Sequence, residues 1–166
     1  MKITQALYQR FNQPDTLIVV SSFPLRGEEI AKRNAVSRYS DLLLSHFPED
    51  QKVLVLCERV AGQDNRPYLL SKNILVLPAF LTNSYSLFID LAKQLQKFSA
   101  IKNILLQFEF SLFGKEVITF LLPLFFLLQR FAGKKITIML HQVVLDLSTL
   151  AGQVQLPAHA LKTQVF

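Results

Sequence analysis

Short apolar runs at 17–20, 53–57, 74–77, 104–108 and 136–140 recur along the chain, separated by longer stretches of mixed polarity. Continuous Val, Ile and Leu without polar alternation is the pattern of strands buried on both faces, so these runs predict a parallel sheet covered by helices. Within 28–47, Ile30, Ala31, Ala35, Tyr39, Leu42, Leu43 and Phe47 share one helical face while Lys32, Arg33, Arg38 and Asp41 lie elsewhere. That spacing predicts an amphipathic crossover helix, with Glu28 and Glu29 at its start complementing the positive end of the helix dipole. The same periodicity returns over 84–98 through Leu87, Phe88, Leu91, Ala92, Leu95 and Phe98, with Asn83 or Ser84 as the N-cap. A third helix is predicted over 115–131, stopped by Gly133.

The order strand, helix, strand, strand, helix, strand, helix, strand implies right-handed crossovers. The expected fold class is α/β: a Rossmann-like, open, mainly parallel sheet with helices on both faces. Segment 63–72 is polar, carries Pro67 and reads as a surface loop. Beyond Leu150 the pattern weakens, although Leu156, Leu161, Val165 and Phe166 are too apolar for a free linker. The stretch 117–128 is hydrophobic nearly all round and includes Pro123, so a buried helix is expected there, with a membrane-contacting or partner-contacting helix as the alternative.

A length of 166 residues with 51% hydrophobic composition suits one core and one domain, here taken as 1–166. Eighteen Lys and Arg against 12 Asp and Glu give a formal charge of +6, dispersed rather than massed. Such a surface favours anionic partners without choosing among sugar nucleotides, phospholipid head groups and nucleic acid. The single cysteine, Cys57, excludes an internal disulfide and sits in an apolar run where a small buried residue is expected. Residues 1–5 lack the apolar core of a signal peptide and no stretch reaches the roughly 18 apolar residues of a membrane span, so a cytoplasmic location is expected.

Candidate chemistry gathers at predicted strand ends. In an open α/β sheet, ligands bind in the crevice beyond the carboxyl ends of the strands. The loop after the first run, SSFPLRG at 21–27, leads toward a helix start that offers N–H groups to an anion, with Arg26, Gly27 and Glu28 as candidates. Only Gly27 is present, so the three-glycine dinucleotide fingerprint fails and NAD or FAD is disfavoured. The plain alternative is a turn shaped by Pro24 and Gly27, with Arg26 solvated. Asn34 interrupts the next helix and reads equally as a helix-surface amide. His141 follows the last run and can bond a ligand hydroxyl or phosphate in either protonation state, or serve as a capping residue. Glu109, in LQFEFSLFG at 106–114, puts a carboxylate at another strand end, or forms a salt bridge to a rim cation. His46, His141 and His159 are too dispersed for a metal cluster, and neither a P-loop nor a Gly-x-Ser-x-Gly elbow occurs.

Taken together, SSFPLRG at 21–27, the helix 30–47, LQFEFSLFG at 106–114 and ITIMLHQV at 136–143 resemble the N-terminal domain of family 4-like glycosyltransferases of the GT-B fold. The resemblance covers nearly the whole chain through motifs that are individually loose. It implies that His141 faces the donor sugar, that Arg26, Gly27 and Glu28 lie on the acceptor and phosphate side, and that Glu109, with Asn34 nearby, lines that side. It implies a nucleotide-sugar as co-substrate, no other cofactor, and a glycan or lipid-linked acceptor; nucleic acid is not an expected partner. Two departures stand out: the family's pair of glycines in the first loop is reduced to Gly27, and the second, nucleotide-sugar-binding domain is absent from this sequence. The chain is accordingly expected to be an acceptor-side domain that requires a second Rossmann-like domain or partner subunit. The rival expectation is a stand-alone α/β module for small anions or protein interaction, with peripheral contact at the inner membrane face.

Overall fold

Parallel pairing of the apolar runs organises the fold. The computed structural model describes residues 4–28, 34–114 and 117–141. In chain order the elements are α1 (Gln5–Phe11), β1 (Leu17–Val20), α2 (Ala35–Ser45), β2 (Val53–Glu58), β3 (Tyr68–Ser71), β4 (Ile74–Phe80), α3 (Ser86–Lys97), β5 (Asn103–Phe108), α4 (Val117–Phe131) and β6 (Lys135–Leu140). The strands form a six-stranded sheet in the order β3-β4-β2-β1-β5-β6. Every neighbouring pair is parallel except β3 with β4. The result is an α/β fold with the doubly wound, Rossmann-like arrangement.

Because strand side chains alternate between faces, each apolar run feeds two cores. On one face Ile18, Val20, Leu54, Leu56, Ile104 and Leu106 pack with Phe11 of α1, Leu87, Leu91 and Leu95 of α3, and Leu122 and Phe126 of α4. On the other face Val19, Val53, Val55, Cys57, Val76 and Leu105 pack against Leu44 of α2 and against Phe23 and Leu25 of the loop after β1. Cys57 is fully buried, and burial pushes its thiol well above the ordinary range.

Two elements differ from expectation outright. Residues 68–71 are not loop but β3, an antiparallel edge strand whose residues are only partly covered. The N-terminal region carries α1, capped by Thr4, whose hydroxyl accepts from the Leu7 backbone N–H and whose last residue, Phe11, is fully buried. Helix boundaries move as well. α2 begins at Ala35, with Asn34 as its N-cap, so Glu28 lies in the loop and not in the helix's first turn. α3 begins at Ser86 after Tyr85, with the Ser84 hydroxyl accepting from the Ser86 N–H. Expectations that fall on Glu29, Ile30, Ala31, Lys32, Arg33, Lys115 and the tail from Gln142 onward lie outside the described residues.

α4 differs in its surroundings. Ile118, Thr119, Leu122 and Phe126 are buried, but Val117, Phe120, Leu121, Leu124, Leu127, Leu128 and Phe131 are exposed among the described residues, Phe131 at 80%. The helix therefore has an apolar stripe on its outer side in addition to the one that meets the sheet. Together with Ile136 and Ile138 of β6, α4 borders an apolar groove of about 350 Å³. Among the described residues no helix is long and apolar enough to cross a membrane.

Candidate functional site

From β1 the chain passes through α2 to β2 on one side, whereas β5 lies on the other side of β1. Helix α2 covers one face of the sheet, and α3 and α4 cover the opposite one. The point between β1 and β5 is therefore where the winding reverses, the position at which open α/β sheets leave a crevice at their carboxyl ends. The residues that end β1 and β5 define what that crevice offers.

Two adjacent serines follow β1, and they serve two different clusters. Ser22 donates to Oε1 of Glu58 at the end of β2, and Asn34 Nδ2 donates to Ser22 Oγ at 2.9 Å. The Asn34 side-chain oxygen meanwhile accepts the Ser37 N–H at 2.7 Å, capping α2. Burial raises the Glu58 carboxyl above its ordinary range, against the lowering effect of the Ser22 bond, and Glu28 nearby adds to the rise. Glu58 Oε2 is buried without a hydrogen-bond partner among the described residues. A carboxyl in this state is inclined to hold its proton.

Ser21 leads the other way. Its hydroxyl lies 2.8 Å from Ser40 Oγ on α2, and Ser40 Oγ lies 2.9 Å from Oε1 of Gln107 on β5. The same end of the Gln107 side chain lies 3.0 Å from His141 Nε2. A hydrogen-bonded line thus runs from the end of β1 to the end of β6. His141 is held further by its backbone N–H to the Phe108 carbonyl, 3.0 Å, and by edge-on contact with Tyr39, ring centroids 4.9 Å apart. Desolvation lowers the pKa of His141, opposed by Glu109.

The remaining candidates take distinct places. Arg26 is exposed and pairs its backbone with Asp64 in an antiparallel bridge, which ties the β1 loop to the β2–β3 connection. Tyr68 strengthens that tie by donating to the Pro24 carbonyl. Gly27 has φ +78° with no atom within 4 Å of an added Cβ, so the turn, not a close approach, calls for glycine there. Glu28 Oε2 accepts the Leu25 N–H at 3.0 Å. Glu109 accepts from the Ser111 hydroxyl at 2.9 Å. Asn34 and Glu28 thus gather near Ser22 and Glu58, while His141 and Glu109 gather at the ends of β5 and β6. Arg26 and Gly27 sit in the loop above the β2 side.

Ser22, Ser40, Glu58 and Gln107 were not foreseen from sequence. Glu58 and Gln107 carry a signal in retrospect: each is a polar side chain set at or near the carboxyl end of an otherwise apolar strand. Among the described residues no group of His, Cys, Asp and Glu is placed to hold a metal ion. A cavity of about 560 Å³ lies elsewhere, between α2 and the β3–β4 hairpin, bordered by Asp41, Phe47, Lys72 and Asn73. No protein-family model, curated protein or solved structure matches the chain.

Proposed function

We propose that this chain is the acceptor-side domain of a GT-B, family 4-like glycosyltransferase, moving a sugar from a nucleotide-sugar to a glycan or lipid-linked acceptor. The observation that carries the reading is convergence. Of the four segments that bear the resemblance, 21–27, 106–114 and the one that contains His141 reach the carboxyl rim of one sheet at or beside its winding reversal.

In this reading His141 bonds the donor sugar, while Arg26, Gly27, Glu28, Asn34 and Glu109 belong to the acceptor and phosphate side. Glycosyl transfer needs donor and acceptor held in line and water excluded, and an open rim does neither alone. The chain therefore works with a second Rossmann-like domain or partner subunit that closes over this rim, and by itself does not turn over. The nucleotide-sugar is a co-substrate, and no resident cofactor is called for. The cytoplasmic side of the membrane, where such donors are available, is the matching location. Reading the source DNA beyond the Phe166 codon tests the proposal: a continuing frame with a second Rossmann-like pattern supports it. A stop codon with no partner subunit co-purifying counts against it.

A second reading is favoured by the outer stripe of α4. Leu124, Leu127, Leu128 and Phe131 are exposed together, and Arg130, Lys135 and Lys102 are exposed at the same end. An apolar stripe beside cations suits an anionic lipid surface, and would make the chain a peripheral membrane module. Co-sedimentation with vesicles containing phosphatidylglycerol, weakening with added salt, supports it. Equal recovery with and without vesicles counts against it.

A further inference from the structure

β6 forms one edge of the sheet, with β5 as its strand neighbour among the described residues. Side chains along a strand alternate between faces. Ile136 packs with the core under α4 and Met139 with the core under α2, so Ile138 and Leu140 share the α4 face with Ile136. Both are exposed there. Leu124 and Leu127 of α4 are exposed as well, and between helix and strand lies the apolar groove of about 350 Å³ that Leu124, Leu127 and Ile138 help to line. Apolar surface left in water at about 25 cal/mol per Å² is a standing cost, and a concave groove of this kind calls for an occupant.

We propose that the occupant is the chain's own continuation, the stretch 142–166, which folds back from the end of β6 and seats Val143, Leu147, Leu150 and Val154 in the groove between α4 and β6. Continuity comes first. His141, whose backbone N–H still pairs with the Phe108 carbonyl, hands the chain on from the carboxyl end of the very strand that forms one wall of the groove. Handedness comes second. The step from β5 to β6 carries α4 on the face of the first core, and a further outward step keeps the same right-handed sense only by passing over that same face. The space beside α4 on that face is the groove.

The sequence of the stretch suits the place. Val143, Leu147, Leu150 and Val154 recur at intervals of four, three and four, the spacing of an apolar stripe on one side of a helix, while Asp146, Ser148, Thr149, Gln153 and Gln155 fall outside it. Asp146 and Lys162 are the formal charges of 142–166, too few to keep so apolar a stretch in water. A lipid surface would instead meet the crest of α4, where Leu128 and Phe131 stand outside the groove lining. The proposal is independent of the glycosyltransferase reading, because it concerns the α4 face of the sheet and not the rim.

The test is methyl NMR on the full chain labelled at Ile, Leu and Val. Cross-peaks are expected between the Ile138 δ1 methyl and the methyls of Leu147, Leu150 or Val154, assigned with Ile138→Val and Leu150→Ala and unchanged on dilution. Leu150→Asp in the full chain is expected to abolish them and to raise binding of the apolar dye anilinonaphthalene sulfonate severalfold, whereas Leu145→Asp, off the stripe, leaves both as they are. An Ile138 methyl without contact to 142–166 overturns the proposal, and this result requires no variant to fold. Dye binding equal in Leu150→Asp and the unmodified chain overturns it too. Cross-peaks found only between differently labelled copies assign the groove to a second chain, and an Ile138 methyl that shifts only when phosphatidylglycerol vesicles are added assigns it to lipid; either result overturns the proposal.

Discussion

Asn34 is bonded in two directions, its side-chain oxygen accepting the Ser37 N–H and its side-chain nitrogen donating to Ser22 Oγ at 2.9 Å. One side chain thereby joins the start of α2 to the end of β1, and through Ser22 to Glu58. Replacing it with Ala removes the cap and the tie together. Loss of an N-cap costs about 1–2 kcal/mol. Asn34→Ala is expected to lose that much in urea unfolding, and Asn34→Asp to recover most of the cap without restoring the donor to Ser22. Equal stability of Asn34→Ala and the unmodified chain would show that the cap is idle.

Glu58 gives the fold a pH dependence whose sign follows from burial. Its folded-state pKa is raised above the ordinary 4.5. The stability associated with this carboxyl is then fully present below 4.5 and is lost as pH rises through the raised folded value. Relative to Glu58→Gln, the unmodified chain is therefore expected to become progressively less stable across that window and to level off above it. Unfolding measured in denaturant from pH 4 upward checks this, and a difference that does not change with pH contradicts it.

Gly114 packs against the turn at Asn83. Its φ is +148°, and an added Cβ would stand 3.0 Å from the Asn83 backbone nitrogen. Thr119 bonds the Gly114 and Phe110 carbonyls from α4, so the loop after β5 has little room to shift. Gly114→Ala is expected to lower stability by about 1–3 kcal/mol. Thermal unfolding at an unchanged midpoint would place slack in this loop.

The two sides of α4 should respond differently to truncation. Leu122 is fully buried, whereas Leu128 is 56% exposed. Leu122→Ala is expected to cost about 2–5 kcal/mol through lost burial and a residual cavity. Leu128→Ala should fall within about 0.5 kcal/mol of the parent. Comparable losses from both would mean that the outer stripe is covered in solution.

The five apolar runs were legible because strands buried on both faces need no polar alternation, and all five became strands. β3 was hidden because four residues at a sheet edge, after Pro67 and with Leu69 and Leu70 partly exposed, carry too little pattern to separate from a loop. α1 spans less than two full turns and rests on Phe11 and its Thr4 cap, signals short enough to be missed. The start of α2 was placed too early because the apolar spacing continues upstream of Asn34, while the cap itself decides the boundary. The outer face of α4 could not be read at all: composition reports that a helix is apolar, not which of its sides meets protein. At the rim, His141 and Glu109 stood out as polar residues beyond strand ends. Ser22 and Ser40 were invisible because their roles arise from contacts between elements far apart in sequence, whereas Glu58 and Gln107 left only the mark of a polar residue near the end of an apolar strand.

The most direct test of the account is amide NMR mapping of the full chain titrated with a short lipid-linked oligosaccharide analogue, the acceptor class this domain is proposed to bind. The predicted result is perturbation confined to the rim, at Arg26, Glu28, Asn34 and Glu109, and weakened by Arg26→Ala with the fold intact. Perturbation centred instead on the cavity between α2 and the β3–β4 hairpin, at Ser71, Lys72 and Asn73, with the rim silent, would contradict it.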